Sequence, residues 1–179
     1  MTTIAFDGKF IAADTQGNFG STVAYSRKLT RLEDGTILGG AGLYSNILRF
    51  IEHYKNNRNQ ISDFPELYHG EGGETDILII EPNGPIKLFC SVDNYLHILP
   101  ENKTQYAIGS GECYAFGAMD AGASAHQAVL IASRHDPYTG GSSITCWQRG
   151  PVKKPDTHPT EKKNPQQKII DFYTRMNKK

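Results

Sequence analysis

No stretch of about 18 consecutive apolar residues occurs in this chain, so no membrane-spanning helix is expected. The N-terminus lacks a basic segment followed by an apolar core, so no secretory signal is expected either. Cysteine is scarce: Cys90, Cys113 and Cys146 are odd in number and share no metal-type spacing, which argues for a reducing, cytoplasmic setting over a disulfide framework. The six histidines form no H-x-x-x-H pair, and His126 and His135 lie nine apart, so a zinc site is not expected. Gly109-Ser110-Gly111 has Tyr114 where a dinucleotide fingerprint needs glycine, and Ile108 and Glu112 where a serine-hydrolase elbow needs its outer glycines. No short-period repeat is present.

What remains is a chain of 179 residues, long enough to bury a real core, with 38% apolar and 21% charged residues. Its net charge of zero hides a division. Residues 1–150 carry 11 basic and 16 acidic side chains, a net of −5; residues 151–179 carry 8 and 3, a net of +5. The second segment opens with Pro151, Pro155, Pro159 and Pro165 among lysines and closes with Ile169, Ile170, Phe172, Tyr173 and Met176 at helical spacing. This reads as a domain over 1–150 and a basic Pro/Lys-rich extension over 151–179 that ends in a short helix docked on the acidic body. Nucleic acid is not expected as a partner, because the body offers no matching basic face.

The first forty residues read as strands. Thr3–Phe6 and Lys9–Ala13 flank an Asp7-Gly8 hairpin turn, Thr22–Leu32 alternates loosely, and Thr36–Leu38 runs into Gly39-Gly40-Ala41-Gly42. Leu43, Ile47, Leu48, Ile51 and Tyr54 recur at helical spacing. Residues 55–75 are polar and loop-like. Strands are expected at 76–80, 86–92, 95–99 and 106–108. Helices follow at 112–121 and at 124–134, the second capped by Ser124, and a last strand at 142–148. Segregated runs of this kind predict an α+β sandwich of mainly antiparallel sheets.

The start of the chain carries the chemistry. Removal of Met1 before the small Thr2 would leave a threonine with a free α-amine. A hydroxyl is a weak nucleophile without a base, and an α-amine with a pKa of about 7.7–8.0 supplies one within the same residue. Asp14, Lys28, Ser110 and Asp136 stand at strand ends or turns, where each alone would pass as a surface residue.

Taken in order, Thr2-Thr3-Ile4, Ala12-Ala13-Asp14-Thr15-Gln16, Arg27-Lys28-Leu29, Gly39-Gly40-Ala41-Gly42, Ile108-Gly109-Ser110-Gly111 and Asp136-Pro137-Tyr138-Thr139-Gly140-Gly141 form a series. That series resembles the proteasome β-type, HslV-like N-terminal nucleophile (Ntn) hydrolases over about residues 2–148. The resemblance implies a four-layer αββα sandwich and a threonine peptidase acting through an acyl-enzyme. It implies Thr2 as nucleophile, Lys28 beside its hydroxyl, Asp14 holding Lys28, the Gly39 N–H as oxyanion donor, Ser110 on the α-amine, and Asp136 and Thr139 behind Ser110. It implies no cofactor and no metal, a peptide or unfolded-protein substrate, a homo-oligomeric ring and an ATP-dependent unfoldase partner. Thr139 stands where the family usually has serine. The family carries a long second helix where residues 55–75 are polar here, so a ring of altered stoichiometry is expected. A catalytically silent scaffold of the same fold and a small-molecule amidase are the alternative readings.

Overall fold

The computed structural model describes residues 2–57 and 74–151. The expected basic extension and most of the polar 55–75 stretch lie outside the described residues.

The chain begins with β1 (Ile4–Phe6) and β2 (Phe10–Asp14), a hairpin in register Ile4 to Ala13 and Phe6 to Ile11. The turn sits one residue later than the sequence suggests: the Asp7 N–H donates to Phe10 O, so Gly8 and Lys9 are its central pair. Gly8 takes φ +94°, the conformation glycine tolerates best. A short ribbon of β3 (Gln16–Phe19) and β4 (Thr22–Tyr25) follows, then β5 (Leu29–Arg31) and β6 (Ile37–Ala41). The loosely alternating 22–32 stretch is thus two strands, and β3 was not expected from sequence.

Helix α1 (Tyr44–Asn56) is followed by β7 (Asp76–Ile80), β8 (Ile86–Cys90), β9 (Tyr95–Ile98) and β10 (Tyr106–Ile108). Helices α2 (Glu112–Asp120) and α3 (Ala125–His135) precede β11 (Ile144–Gln148). Ser124 caps α3 with a full capping box: its hydroxyl accepts from the Gln127 N–H while the Gln127 side chain accepts from the Ser124 N–H.

Besides the β3–β4 ribbon, the described residues form two larger sheets, each antiparallel throughout: β10-β1-β2-β11 and β5-β6-β7-β8-β9. The period-2 pattern explains how they stack. On one face of the four-stranded sheet, Ala5, Ala12 and Ala107 meet Ala115, Ala118, Ala125 and Ala128 of α2 and α3, small side chains that let helices lie close to the strands. On the other face, Ile4, Phe6, Ile11, Ala13 and Ile108 pack against Leu29, Ile37, Leu78 and Ile80 of the five-stranded sheet. Ile77 and Ile79 point the opposite way, onto Ile47, Phe50, Ile51 and Tyr54 of α1. Burial of β7 on both faces explains its unbroken apolar run.

Gly39 and Gly40 set the spacing between these layers. A Cβ at Gly39 would lie 3.1 Å from Leu29 and 3.2 Å from Ile4, between the sheets; one at Gly40 would lie 2.5 Å from Ile47 of α1. By contrast, nothing stands within 4 Å of a Cβ at the helical Gly117. Gly40→Val is therefore expected to destabilise the domain by about 1–3 kcal/mol through overpacking. Gly117→Ala is expected to stabilise it by about 0.5–1 kcal/mol. Denaturant unfolding of both variants checks the pair.

Candidate active site

The ends of the two sheets and their connections gather the polar residues that the sequence scatters. Thr2 and Thr3 lead into β1, and Asp14 closes β2. Lys28 precedes β5, Ser110 lies between β10 and α2, and Asp136 and Thr139 follow α3. Thr2, Thr3, Asp14, Lys28, Asp136 and Thr139 are all buried, whereas Ser110 is exposed.

Asp14 is the first hub. Its Oδ1 accepts from the Lys28 Nζ at 2.8 Å and from the Thr3 N–H at 2.9 Å; its Oδ2 accepts from the Gly140 N–H at 3.0 Å and the Gln16 N–H at 3.1 Å. These four donors fill the hydrogen-bonding capacity of both oxygens of the buried carboxylate. Burial is the strongest influence on Lys28 and pulls its pKa below the ordinary lysine value, against the opposing charge and hydrogen bond of Asp14 and the charge of Asp136.

Asp136 is the second hub. Its Oδ2 accepts from the Ser110 hydroxyl at 2.6 Å and the Thr139 hydroxyl at 2.5 Å, and its Oδ1 from the Tyr138 N–H at 3.1 Å. Burial pushes the carboxyl up, but these hydrogen bonds outweigh it and hold its pKa below the usual carboxylate value. Ser110 Oγ stands 3.3 Å from the Thr2 nitrogen, which donates to it. Gly109 closes this contact: at φ +96° its missing Cβ would sit 2.1 Å from the Thr2 carbonyl oxygen.

Thr2 and Lys28 line one cavity of about 340 Å³, together with Gly40, Gly42, Tyr44 and Ile47. Gly39, the expected oxyanion donor, does not line it, and strand geometry gives the reason. Backbone N–H groups along an antiparallel strand face alternate neighbours. The Gly40 N–H donates to Lys28 O at 3.0 Å, so the Gly39 N–H faces β7, in register with Leu78. Continuing the alternation turns the Gly42 N–H to the Lys28 side. Gly42 has φ +112°, and a Cβ there would strike Glu74 O at 2.1 Å. Thr75 Oγ1 accepts from the Leu43 N–H at 3.3 Å and holds the entry to α1 that follows.

Sequence reasoning missed Thr3, whose hydroxyl reaches Thr139 at 2.5 Å, and Gly42. It also missed the β3–β4 ribbon, whose Gln16 and Asn18 line the same cavity. The doubled Thr2-Thr3 and the second glycine of Gly40-Ala41-Gly42 were the available signals. Among the described residues, no group of three or more His, Cys, Asp or Glu side chains could hold a metal ion. No helix among them is long and apolar enough to cross a membrane.

The depressed pKa of Asp136 has a stability consequence. Its stabilising contribution is fully present above the unfolded carboxylate value of about 3.9 and is lost as pH falls through the lower folded value. Wild type is therefore expected to be more stable than Asp136→Asn at neutral pH, and the gap to close progressively below about pH 4. Denaturant midpoints of both proteins between pH 2 and 7 check this.

No protein-family description and no curated protein matches the chain. Among solved structures it is similar to eukaryotic HslV from Trypanosoma brucei, with a TM-score of 0.62 and 21% sequence identity over 82% of this chain and 99% of that one. This likeness shows an HslV-like fold, reached with little sequence in common.

Proposed function

We propose that this chain is an N-terminal threonine peptidase of the HslV type, a hydrolase built on the αββα sandwich of the Ntn class. The reading is carried by one observation: Thr2 shares a cavity with a lysine that is buried and paired to a four-donor carboxylate. A buried lysine–aspartate pair at a cavity wall costs desolvation that a merely structural position has no need to bear.

Once Met1 is removed, the Thr2 α-amine takes the hydroxyl proton and the Thr2 oxygen attacks a peptide carbonyl. The Lys28 ammonium, held by Asp14, stabilises charge developing on the attacking oxygen. The oxyanion is received by the Gly42 N–H in place of the Gly39 N–H expected from sequence. The leaving amine takes the proton from the α-ammonium, and an ester to Thr2 remains. Water then attacks the ester, giving up a proton to the α-amine, and the Thr2 hydroxyl is released. Ser110 accepts from the α-amine, and Asp136 and Thr139 hold Ser110 in place.

The substrate class is peptide or unfolded protein. The family's further features belong to the same reading: a homo-oligomeric ring, an ATP-dependent unfoldase partner, a cytoplasmic location and a 1–150 domain followed by a separate basic extension.

Intact-mass measurement after incubation with a peptide epoxyketone tests the reading, because that reagent needs both the hydroxyl and the free amine of one residue. One adduct per chain at Thr2 is expected, with none on Thr2→Ala. Fluorogenic peptide hydrolysis is expected to vanish in Thr2→Ala and to fall at least about tenfold in Asp14→Asn. Undiminished hydrolysis by folded Thr2→Ala would overturn the assignment.

A further inference from the structure

Thr3 lies outside the set of residues that the resemblance assigns, yet it bonds Asp14 directly and reaches Asp136 through Thr139. Its N–H donates to Asp14 Oδ1, the oxygen that also takes the Lys28 ammonium. Its hydroxyl meets Thr139 Oγ1 at 2.5 Å, and the residue is fully buried.

Proton counting fixes the direction of these bonds. A hydroxyl has one proton, and an ionised carboxylate only accepts. The Thr139 proton goes to Asp136 Oδ2, so the contact between the two threonines has Thr3 as donor. The Ser110 proton goes to the same Oδ2 at 2.6 Å, which leaves Ser110 Oγ as an acceptor facing the Thr2 nitrogen. The order is Thr3 to Thr139 to Asp136, with Ser110 donating to Asp136 from the other side. Space for the first link depends on Gly111, where a Cβ would lie 2.1 Å from Thr3 Oγ1 and 3.0 Å from Thr139 Oγ1.

We propose that Thr3 is a positioning residue for the Thr2 α-amine: by donating to Thr139 it strengthens the Thr139 hydrogen bond to Asp136, the carboxylate that also holds Ser110 against that amine. This rests on the reading of Thr2 as an N-terminal nucleophile. Without the Thr3 donor, the Thr139 hydroxyl is less polarised and its bond to Asp136 is weaker. The carboxylate then carries more uncompensated charge and favours the ammonium form of the nearby amine. The charged groups around that amine are Asp136 after α3, Asp14 at the end of β2 and Lys28 before β5. Thr3→Val leaves all three in place, since Thr3 holds Asp14 through its backbone.

The test uses full-length chain released with Thr2 first from a cleavable N-terminal fusion. The midpoint of α-amine acetylation against pH is read by mass spectrometry beside kcat, KM and an unfolding curve. Thr3→Val is expected to raise the labelling midpoint by about half a pH unit. It is expected to lower kcat by up to about threefold at neutral pH, the loss of free amine that such a shift brings, with KM unchanged. Thr3→Ser is expected to restore both. If Thr3→Val does not fold, Thr139→Val breaks the next link and carries the same expected upward shift. A folded Thr3→Val, or failing that a folded Thr139→Val, with the wild-type midpoint would overturn the proposal and leave Thr3 a packing residue. A wild-type chain that hydrolyses no peptide would instead sink the peptidase reading, while the labelling midpoint still decides the role of Thr3.

Discussion

The rest of this structure depends on the buried pair of Asp14 and Lys28. Two charges withdrawn from water are costly unless their remaining hydrogen-bonding capacity is met. For Asp14 it is met by backbone N–H groups from three other points of the chain. Thr3 comes from before β1, Gln16 from the start of β3 and Gly140 from the loop after α3. Satisfying one carboxylate therefore locks the N-terminal segment, the first hairpin and the α3–β11 connection to one another. The second carboxylate, Asp136, repeats the device with two hydroxyls and one N–H. Between them, the two hubs hold the Thr2–Thr3 dipeptide: Asp14 takes the Thr3 N–H, and Asp136 acts through Ser110 on the Thr2 nitrogen and through Thr139 on the Thr3 hydroxyl.

That arrangement matters because the proposed chemistry is done by a single residue at a chain end, where conformational freedom is ordinarily greatest. A nucleophile and base in one residue need little else, provided the residue does not move. Gly109, with no side chain to strike the Thr2 carbonyl, and Gly111, with none to strike Thr3, let the β10–α2 turn close over it. The layered core beneath supplies rigidity: alanines bring α2 and α3 close to one sheet, and isoleucines fill the space between the two sheets.

Much of this was legible in the sequence, for physical reasons. Helical spacing from Leu43 to Tyr54 corresponds to α1, and Ser124 with Gln127 marks the start of α3. The Asp7-Gly8 turn is displaced by one residue, since a hairpin's register depends on pairing that local sequence does not specify. The β3–β4 ribbon was not foreseen because Gln16-Gly17-Asn18 lacks the β-branched and aromatic residues that signal a strand. Thr2, Asp14, Lys28, Ser110, Asp136 and Thr139 do fall into one connected region. Gly39 does not, and no sequence reading could separate it from Gly42. Which N–H of a glycine-rich strand faces a cavity is decided by ladder alternation, visible only once β5, β6 and β7 are in register.

The account stands on Thr2 being the first residue of the working protein, because only then does it own both a hydroxyl and an amine. The most direct measurement is N-terminal sequencing of material fractionated by peptidase activity. The account predicts that every active fraction begins at Thr2. Full activity in material that retains Met1 throughout would contradict it.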